Sequence, residues 1–184
     1  MTSVVVVDYG AGNTRSVRSA LRRLSYESVL TSEPTAILDA EIVVLPGVGS
    51  ARSAMDHLAS TGAVTAIRER FSAQRPIVGI CLGMQLALDR SEEDGGVEGL
   101  GLIPGVVRRL PGGRVPRLGW QLVTPVNEAF YFAHSYFAET ACATGLSDEV
   151  TAIVESGSFI GVQFHPDKSG DAGLRLLEQC LTRA

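Results

Sequence analysis

Three apolar runs, S-V-V-V-V-D-Y-G (3–10), E-I-V-V-L-P-G-V-G (41–49) and P-I-V-G-I-C (76–81), recur in the first half of the chain with helical patterns between them. A strand with one wet face alternates apolar and polar residues, whereas a run without alternation is a strand buried on both faces. After the turn G-A-G-N, Val17, Ala20, Leu21 and Leu24 recur at helical spacing, with Arg15, Arg18, Arg22 and Arg23 between them. Y-E-S-V-L-T (26–31) reads as a second strand, and a short helix over Thr35 to Leu38 leads into the third. Residues 50–74 carry two helical stretches broken near Gly62. P-I-V-G-I-C is then the fourth strand, and L-G-M-Q-L-A-L-D-R (82–90) the helix after it. Such β-α-β-α order with short connections gives a parallel sheet covered by helices on both faces.

The second half changes character. Gly95 to Gly113 is rich in glycine and proline, after which R-L-G-W-Q-L-V, F-Y-F-A-H-S-Y-F, V-T-A-I-V-E and F-I-G-V-Q-F read as strands, some of them antiparallel. A last helix runs from about Gly170 to Leu181. No repeat, low-complexity segment or linker divides the chain. The expected fold is a three-layer α/β domain over residues 1–184 with a mostly parallel central sheet.

Composition excludes several classes of function. Net charge is −4 and no basic run is longer than two residues, so the clustered Lys and Arg that phosphate binding requires are missing and no nucleic-acid partner is expected. No apolar run approaches the roughly 20 residues that span a bilayer. M-T-S-V-V-V-V-D lacks the positive region and longer apolar stretch of a signal peptide, so the expected location is cytoplasmic. Three cysteines, Cys81, Cys142 and Cys180, give no disulfide framework, and no His/Cys spacing suggests zinc. Cys180 falls in an amphipathic helical pattern, and Cys142 reads as a small strand residue. Neither a metal nor a cofactor is expected.

Cys81 differs from both. It stands in G-I-C-L-G, where a strand meets a helix, in the form of a nucleophile elbow with cysteine in place of serine. Flanking glycines let the chain reverse and lift the sulfur, while the following helix aims N–H groups at it and favours thiolate. Leu82 N–H would then face the oxyanion of an attacked carbonyl. The plain alternative is a tight turn around an inert cysteine.

A catalytic thiol needs a base, and the chain has three histidines. His57 lies in a polar helix and faces solvent. His134, inside F-Y-F-A-H-S-Y-F, is equally a strand residue or a functional one. His165 ends an apolar run and precedes Pro166, which stops the strand and leaves its imidazole at a strand end. Asp167, two residues on, can fix the imidazole tautomer. By itself H-P-D is an ordinary turn, but beside a cysteine elbow it reads as base and orienter. A second glycine-rich turn, L-P-G-V-G-S (45–50), follows the third strand and would share a sheet edge with Cys81, where it could add an oxyanion donor or simply start a helix capped by Ser50.

Assembled, these pieces resemble the class I glutamine amidotransferases, and within them the glutaminase subunits of imidazole glycerol phosphate synthase. The resemblance rests on V-D-Y-G-A-G-N-T-R-S-V (7–17), L-P-G-V-G-S (45–50), G-I-C-L-G-M-Q-L (79–86), L-G-W-Q (118–121), F-A-H-S-Y (132–136) and G-V-Q-F-H-P-D-K-S (161–169). It implies that Cys81 attacks the side-chain amide of L-glutamine, with His165 and Asp167 completing a triad. Gly47, Val48 and Gly49 would form a movable oxyanion strand, Gln85 would reach the bound glutamine, and Ser135 and Tyr136 would hold its amino-acid end. It also implies delivery of ammonia to a (β/α)₈-barrel cyclase subunit of histidine biosynthesis, which makes imidazole glycerol phosphate and AICAR. Asn13, Arg117, Trp120 and Lys168 would lie at that interface. The sequence departs from the family pattern at Asp167, where Glu is usual, at Arg117 (His), at Gln121 (Asn) and in a short 124–130 segment. Competing readings are a glutaminase of pyridoxal phosphate, anthranilate or GMP synthesis, a cysteine hydrolase of another acyl substrate, and a non-catalytic module of the same fold.

Overall fold

The structure, a computed structural model, describes residues 3–112 and 115–184, so the first two residues and the end of the glycine-rich stretch at Gly113 lie outside it. Its element order is β1 Val4–Val7, α1 Thr14–Arg23, β2 Ser28–Thr31, α2 Pro34–Asp39, β3 Ile42–Leu45, α3 Ala51–Ser60, α4 Ala63–Ser72, β4 Ile77–Ile80 and α5 Leu82–Leu86. Then follow β5 Arg90–Ser91, β6 Val97–Glu98, β7 Val106–Arg109, β8 Arg117–Val123, β9 Glu128–His134, β10 Tyr136–Glu139, β11 Ala143–Ser147, β12 Val150–Ser156, β13 Phe159–Val162 and α6 Gly170–Arg183. Single 3₁₀ turns occupy Glu93–Gly95 and Pro166–Lys168.

Seven strands form the main sheet in the order β11-β12-β13-β4-β3-β1-β2. From β13 to β2 the neighbours are parallel, and β11 and β12 add antiparallel pairs at one end. The unalternating runs now have their explanation. Val5, Val7, Val43, Leu45 and Ile77 point into one core with Ile37, Leu58 and Ile67 of the helices α2, α3 and α4. Val4, Val6, Val44, Val78 and Ile80 point into the other, against Val17 and Leu21 of α1, Leu177 and Leu181 of α6, and Val123, Phe130 and Phe132 of the β8–β9 hairpin. Each strand feeds two cores, so neither of its faces can be polar.

A buried cation ties one side together. Arg70 of α4 is fully buried, and its guanidinium donates to the carbonyl oxygens of Pro76, Ile37, Leu38, Ala40 and Glu41 at 2.6 to 3.3 Å. Burial, with Arg75 nearby, lowers its pKa to about 10. It therefore stays charged at neutral pH and satisfies the carbonyl groups at the end of α2 and the entry to β3, which no helix or strand partner reaches.

Several sequence expectations are corrected. The helix expected to reach Arg90 stops at Leu86, because Leu86, Ala87 and Leu88 offer their carbonyl oxygens to the N–H groups of Leu100, Leu102 and Gly101 at 2.7 to 3.1 Å. That exchange starts a small second sheet, β10-β7-β5-β6, two of whose strands, β6 and β7, lie in the stretch rich in glycine and proline. F-Y-F-A-H-S-Y-F is two strands in two sheets, broken at Ser135. Cys142 sits in a turn and not in a strand, just before β11, which the strand signals did not include.

Candidate active site

Parallel strands send their C-terminal ends to one edge, and four such ends meet here. Cys81 follows β4, Gly47 to Gly49 follow β3, Asn13 lies beyond β1, and His165 follows β13. The β4–β13 pair is held in register up to the turn itself, where Cys81 N–H donates to Val162 O at 2.7 Å.

Cys81 has φ 51° and ψ −105°, a conformation rare for a residue with a side chain. The elbow is kept tight by close approach. A Cβ on Gly83 would stand 2.0 Å from Leu45 O, so only glycine lets α5 lie against the end of β3. A Cβ on Gly47 would stand 1.8 Å from Ile80 O and 2.6 Å from Leu82 N, so the 47–49 segment rests directly on the elbow. Val48 is joined on its other side to the turn before α1, its carbonyl accepting from Gly12 N–H at 3.1 Å.

His165 is clamped through its backbone. Its N–H donates to Tyr131 O at 2.9 Å, and its carbonyl accepts from Ser169 Oγ at 2.6 Å. Ser169 Oγ accepts in turn from Tyr131 N–H at 2.9 Å. Phe164 packs under the hairpin, stacked on Phe130 with ring centroids 4.2 Å apart. The imidazole is wholly buried, and Nε2 has no hydrogen-bond partner. On the other nitrogen, Nδ1 lies 3.7 Å from Asp167 Oδ1. That separation is an ion pair and not a hydrogen bond, and Oδ1 is otherwise unpartnered.

Asn13 fills the remaining space. It precedes α1 with φ 74°, yet its side chain caps nothing. Instead Nδ2 donates to Asp167 Oδ2 at 2.9 Å and lies 3.4 Å from His165 Nδ1. Burial works against charge on both ionisable partners. For Asp167 it is overcome by His165, Ser16 and Asn13, which lower the carboxyl pKa. For His165 it is overcome by Asp167 and Cys81, which raise the pKa to about 9. The imidazole is thus held as a cation between a carboxylate and a sulfur.

Beside this group lies a cavity of about 300 Å³, lined by Gly47, Val48, Gly49, Cys81, Leu82 and Gln85 together with Glu93, Leu118, His134, Ser135 and Tyr136. Its volume suits a ligand of amino-acid size. Sequence reasoning did not single out Glu93. It stands on a 3₁₀ turn whose carboxylates cap α3, Glu93 accepting from Ala51 N–H at 3.1 Å and Asp94 from Ser50 Oγ at 2.6 Å. Burial, reinforced by Asp94 and opposed by the Ala51 N–H, raises the Glu93 carboxyl pKa. The acidic run S-E-E-D was a visible signal, but its position opposite the elbow was not. Ser50 is also the N-cap, accepting from Ser53 N–H at 3.2 Å.

The chain matches the profile of the family described as glutamine amidotransferase class-I over residues 5–184. The chain belongs to the class I glutamine amidotransferases. It is 46% identical to the imidazole glycerol phosphate synthase subunit HisH of Carboxydothermus hydrogenoformans, with 95% of this chain and 96% of that one aligned. It is 42% identical to the HisH subunit of Symbiobacterium thermophilum, covering 96% and 92%. Among solved structures, one described as glutamine amidotransferase superposes with a TM-score of 0.81 at 18% identity, covering 97% and 98%. PurLQS from Thermotoga maritima superposes at 0.70 with 22% identity, covering 98% of each. These last two speak to the amidotransferase fold alone.

The residues expected at a partner surface divide. On β8 of this amidotransferase, Leu118, Trp120 and Leu122 point outward and are 60%, 56% and 57% exposed. Arg117 points the other way. Its guanidinium lies over the Phe132 ring at 5.3 Å and donates to Ser147 O and Oγ and to Asp148 at 2.7 to 3.1 Å, so it is engaged within the chain. Lys168 is exposed, beside Asp167 on the 3₁₀ turn. Asn13, as described, is turned inward to the Asp167 carboxylate. His57 is exposed and far from the cavity's lining, and Cys180 is buried in the α6 core.

Proposed function

We propose that this amidotransferase is the glutaminase subunit of an imidazole glycerol phosphate synthase, hydrolysing L-glutamine at Cys81 and passing ammonia to a (β/α)₈-barrel cyclase subunit. The observation that carries the chemistry is the strained Cys81 lining the cavity, at the same sheet edge as the buried His165. The thiolate attacks the side-chain carboxamide carbon, and the C–S bond forms as the carbonyl oxygen takes up negative charge. Leu82 N–H and the Gly47–Gly49 segment are the donors for that oxyanion. His165 gives its Nε2 proton to the amide nitrogen, the C–N bond breaks, and ammonia leaves a γ-glutamyl thioester. Neutral His165 then takes a proton from water, which attacks the thioester and releases glutamate and thiol.

Gln85 supports an amino-acid ligand in a defined way. Both of its N–H groups are engaged, one by Tyr136 O at 2.8 Å and one by Gln163 Oε1 at 2.9 Å, so what it can offer is an acceptor. Glu93 adds a second acceptor across the cavity, and the two suit an α-ammonium group. Ser135 and Tyr136 line the same end. The exposed Leu118–Trp120–Leu122 stripe, with Lys168, forms the face for the barrel subunit, while Asn13 is turned inward to Asp167 and Arg117 braces the face from behind.

Glutamine hydrolysis is expected to be weak for the chain alone and to rise when the barrel subunit and its nucleotide ligand are added. Cys81→Ala is expected to abolish it. Full activity in Cys81→Ala overturns the mechanism, and indifference to the barrel subunit overturns the pathway.

A further inference from the structure

Gln163 immediately follows β13, is fully buried, and has no part in the steps above. Its Oε1 accepts from Gln85 Nε2 at 2.9 Å, and its Nε2 lies 3.5 Å from Cys81 Sγ. The two ends of a carboxamide have nearly the same shape, so the direction of such a chain has to be fixed by a group that can act in one way only. Here that group is the main-chain carbonyl of Tyr136, which can only accept. At 2.8 Å it requires an N–H from Gln85. Gln85 Nε2 then gives its second N–H to Gln163 Oε1. The Gln163 NH₂ is left facing the sulfur. Turned over, it would set two NH₂ groups against each other and aim a carbonyl oxygen at the sulfur, losing two hydrogen bonds in a dry site.

We propose that Gln163 is a catalytic residue that donates a hydrogen bond to the Cys81 sulfur and stabilises its thiolate, held in that direction by Gln85 and the Tyr136 carbonyl. The proposal rests on Cys81 being the nucleophile and deepens that reading. A fixed N–H donor distinguishes the two forms of the sulfur. Thiolate accepts the bond strongly because it is charged, and neutral thiol accepts it poorly. The donor also shares its anchor with the substrate pocket, since Tyr136 lines the cavity.

The titratable groups around the sulfur are His165 with Asp167 behind it, Tyr9 from the loop after β1, and His134 and Glu93 across the cavity. Tyr9 is uncharged, its pKa raised by burial and then by Cys81. His134 is uncharged at neutral pH, burial lowering its pKa to about 4 against the pull of its bond to Tyr136 O. His165 is therefore the charged neighbour of the sulfur and Gln163 its neutral donor. His165 can leave that duty when it delivers its proton; Gln163 cannot.

The test is iodoacetamide alkylation of Cys81 in the full chain from pH 5 to 10, followed by peptide mass spectrometry so that Cys142 and Cys180 are counted separately. In Gln163→Met, of similar length but with no donor, the pH of half-maximal alkylation is expected to rise by about one unit, so that the rate on the acid side of the unaltered chain's midpoint falls about tenfold. Turnover of glutamine falls with it, while KM changes less than about twofold. Gln163→Leu also lacks a donor and is expected to shift the same way, so it carries the test should the Met variant fail to fold by circular dichroism. A profile that superimposes on that of the unaltered chain in either folded variant overturns the proposal. Alkylation is read without glutamine or partner, so an unshifted profile alongside normal glutamine turnover removes Gln163 alone. Absence of turnover in the unaltered complex would instead remove the glutaminase reading.

Discussion

Asp167 shows how far one methylene reaches. The resemblance that identified H-P-D as part of a triad also marked this position as one where Glu is usual, and the gap to the imidazole is 3.7 Å. Asn13 occupies the space between, at 2.9 Å from the carboxylate and 3.4 Å from the ring. Charge–charge attraction survives at that distance in a buried site, but the directional bond that fixes the ring does not. Asp167→Glu is therefore expected to raise kcat about threefold by closing the gap, and Asp167→Asn to lower it about tenfold. Steady-state kinetics of the complex checks both, and a slower Asp167→Glu enzyme would show that the aspartate already orients His165 as well as the longer side chain. Cys81, His165 and Asp167 were legible from short motifs because each motif states a local backbone event: a reversal, a strand stop, a turn. Gln163 and Glu93 were not, because nothing local distinguishes a buried glutamine that touches sulfur from one that fills a core.

At the scale of elements, apolar patterning was informative where a strand or helix is long and regular. Val4–Val7 and Ile42–Leu45 could be read as buried strands because every residue along them meets one core or the other. It failed where tertiary partners cut an element short. α5 had the composition to continue past Leu86, and the loop at 100–102 took its carbonyl oxygens instead. Arg70 is the reverse case, a charged residue in a helical pattern that sequence would assign to solvent and that the fold buries completely. Arg70→Met is expected to destabilise the chain by about 3 kcal/mol, since the carbonyl oxygens of Ile37 and Glu41 lose their donor in a buried site while those of Pro76, Leu38 and Ala40 keep Val43 N–H or Arg75. Urea denaturation measures this directly. A loss below about 1 kcal/mol would mean that water replaces the guanidinium.

Across the whole molecule, the outward face of β8 stands apart. Leu118, Trp120 and Leu122 expose three large apolar side chains on one strand of a two-stranded sheet, with Trp120 edge-on to Tyr131 at 6.2 Å. A contiguous apolar stripe of this kind marks an interaction surface. Replacing Trp120 and Leu122, the two that do not line the cavity, with Ser is expected to leave the thermal stability of the free chain within a few degrees and its basal glutamine hydrolysis within about twofold. Activation by the barrel subunit is expected to fall at least tenfold, read by titrating one subunit into the other. Retained activation would move the docking face elsewhere.

The sequence by itself determined the order of strands and helices from β1 to β4, the parallel sheet, the elbow at Cys81 and the strand-ending histidine, because these follow from local sterics and from which residues must avoid water. Only the tertiary structure decided how the pieces meet. Parallel pairing brought residues 13, 47–49, 81 and 165 to one edge. Close packing let glycines at 47 and 83 draw the elbow against its neighbours. The 3.7 Å gap at Asp167, the inward turn of Arg117 and the direction of the Gln85–Gln163 chain depend on distances between segments far apart in sequence, and no local pattern encodes a distance of that kind.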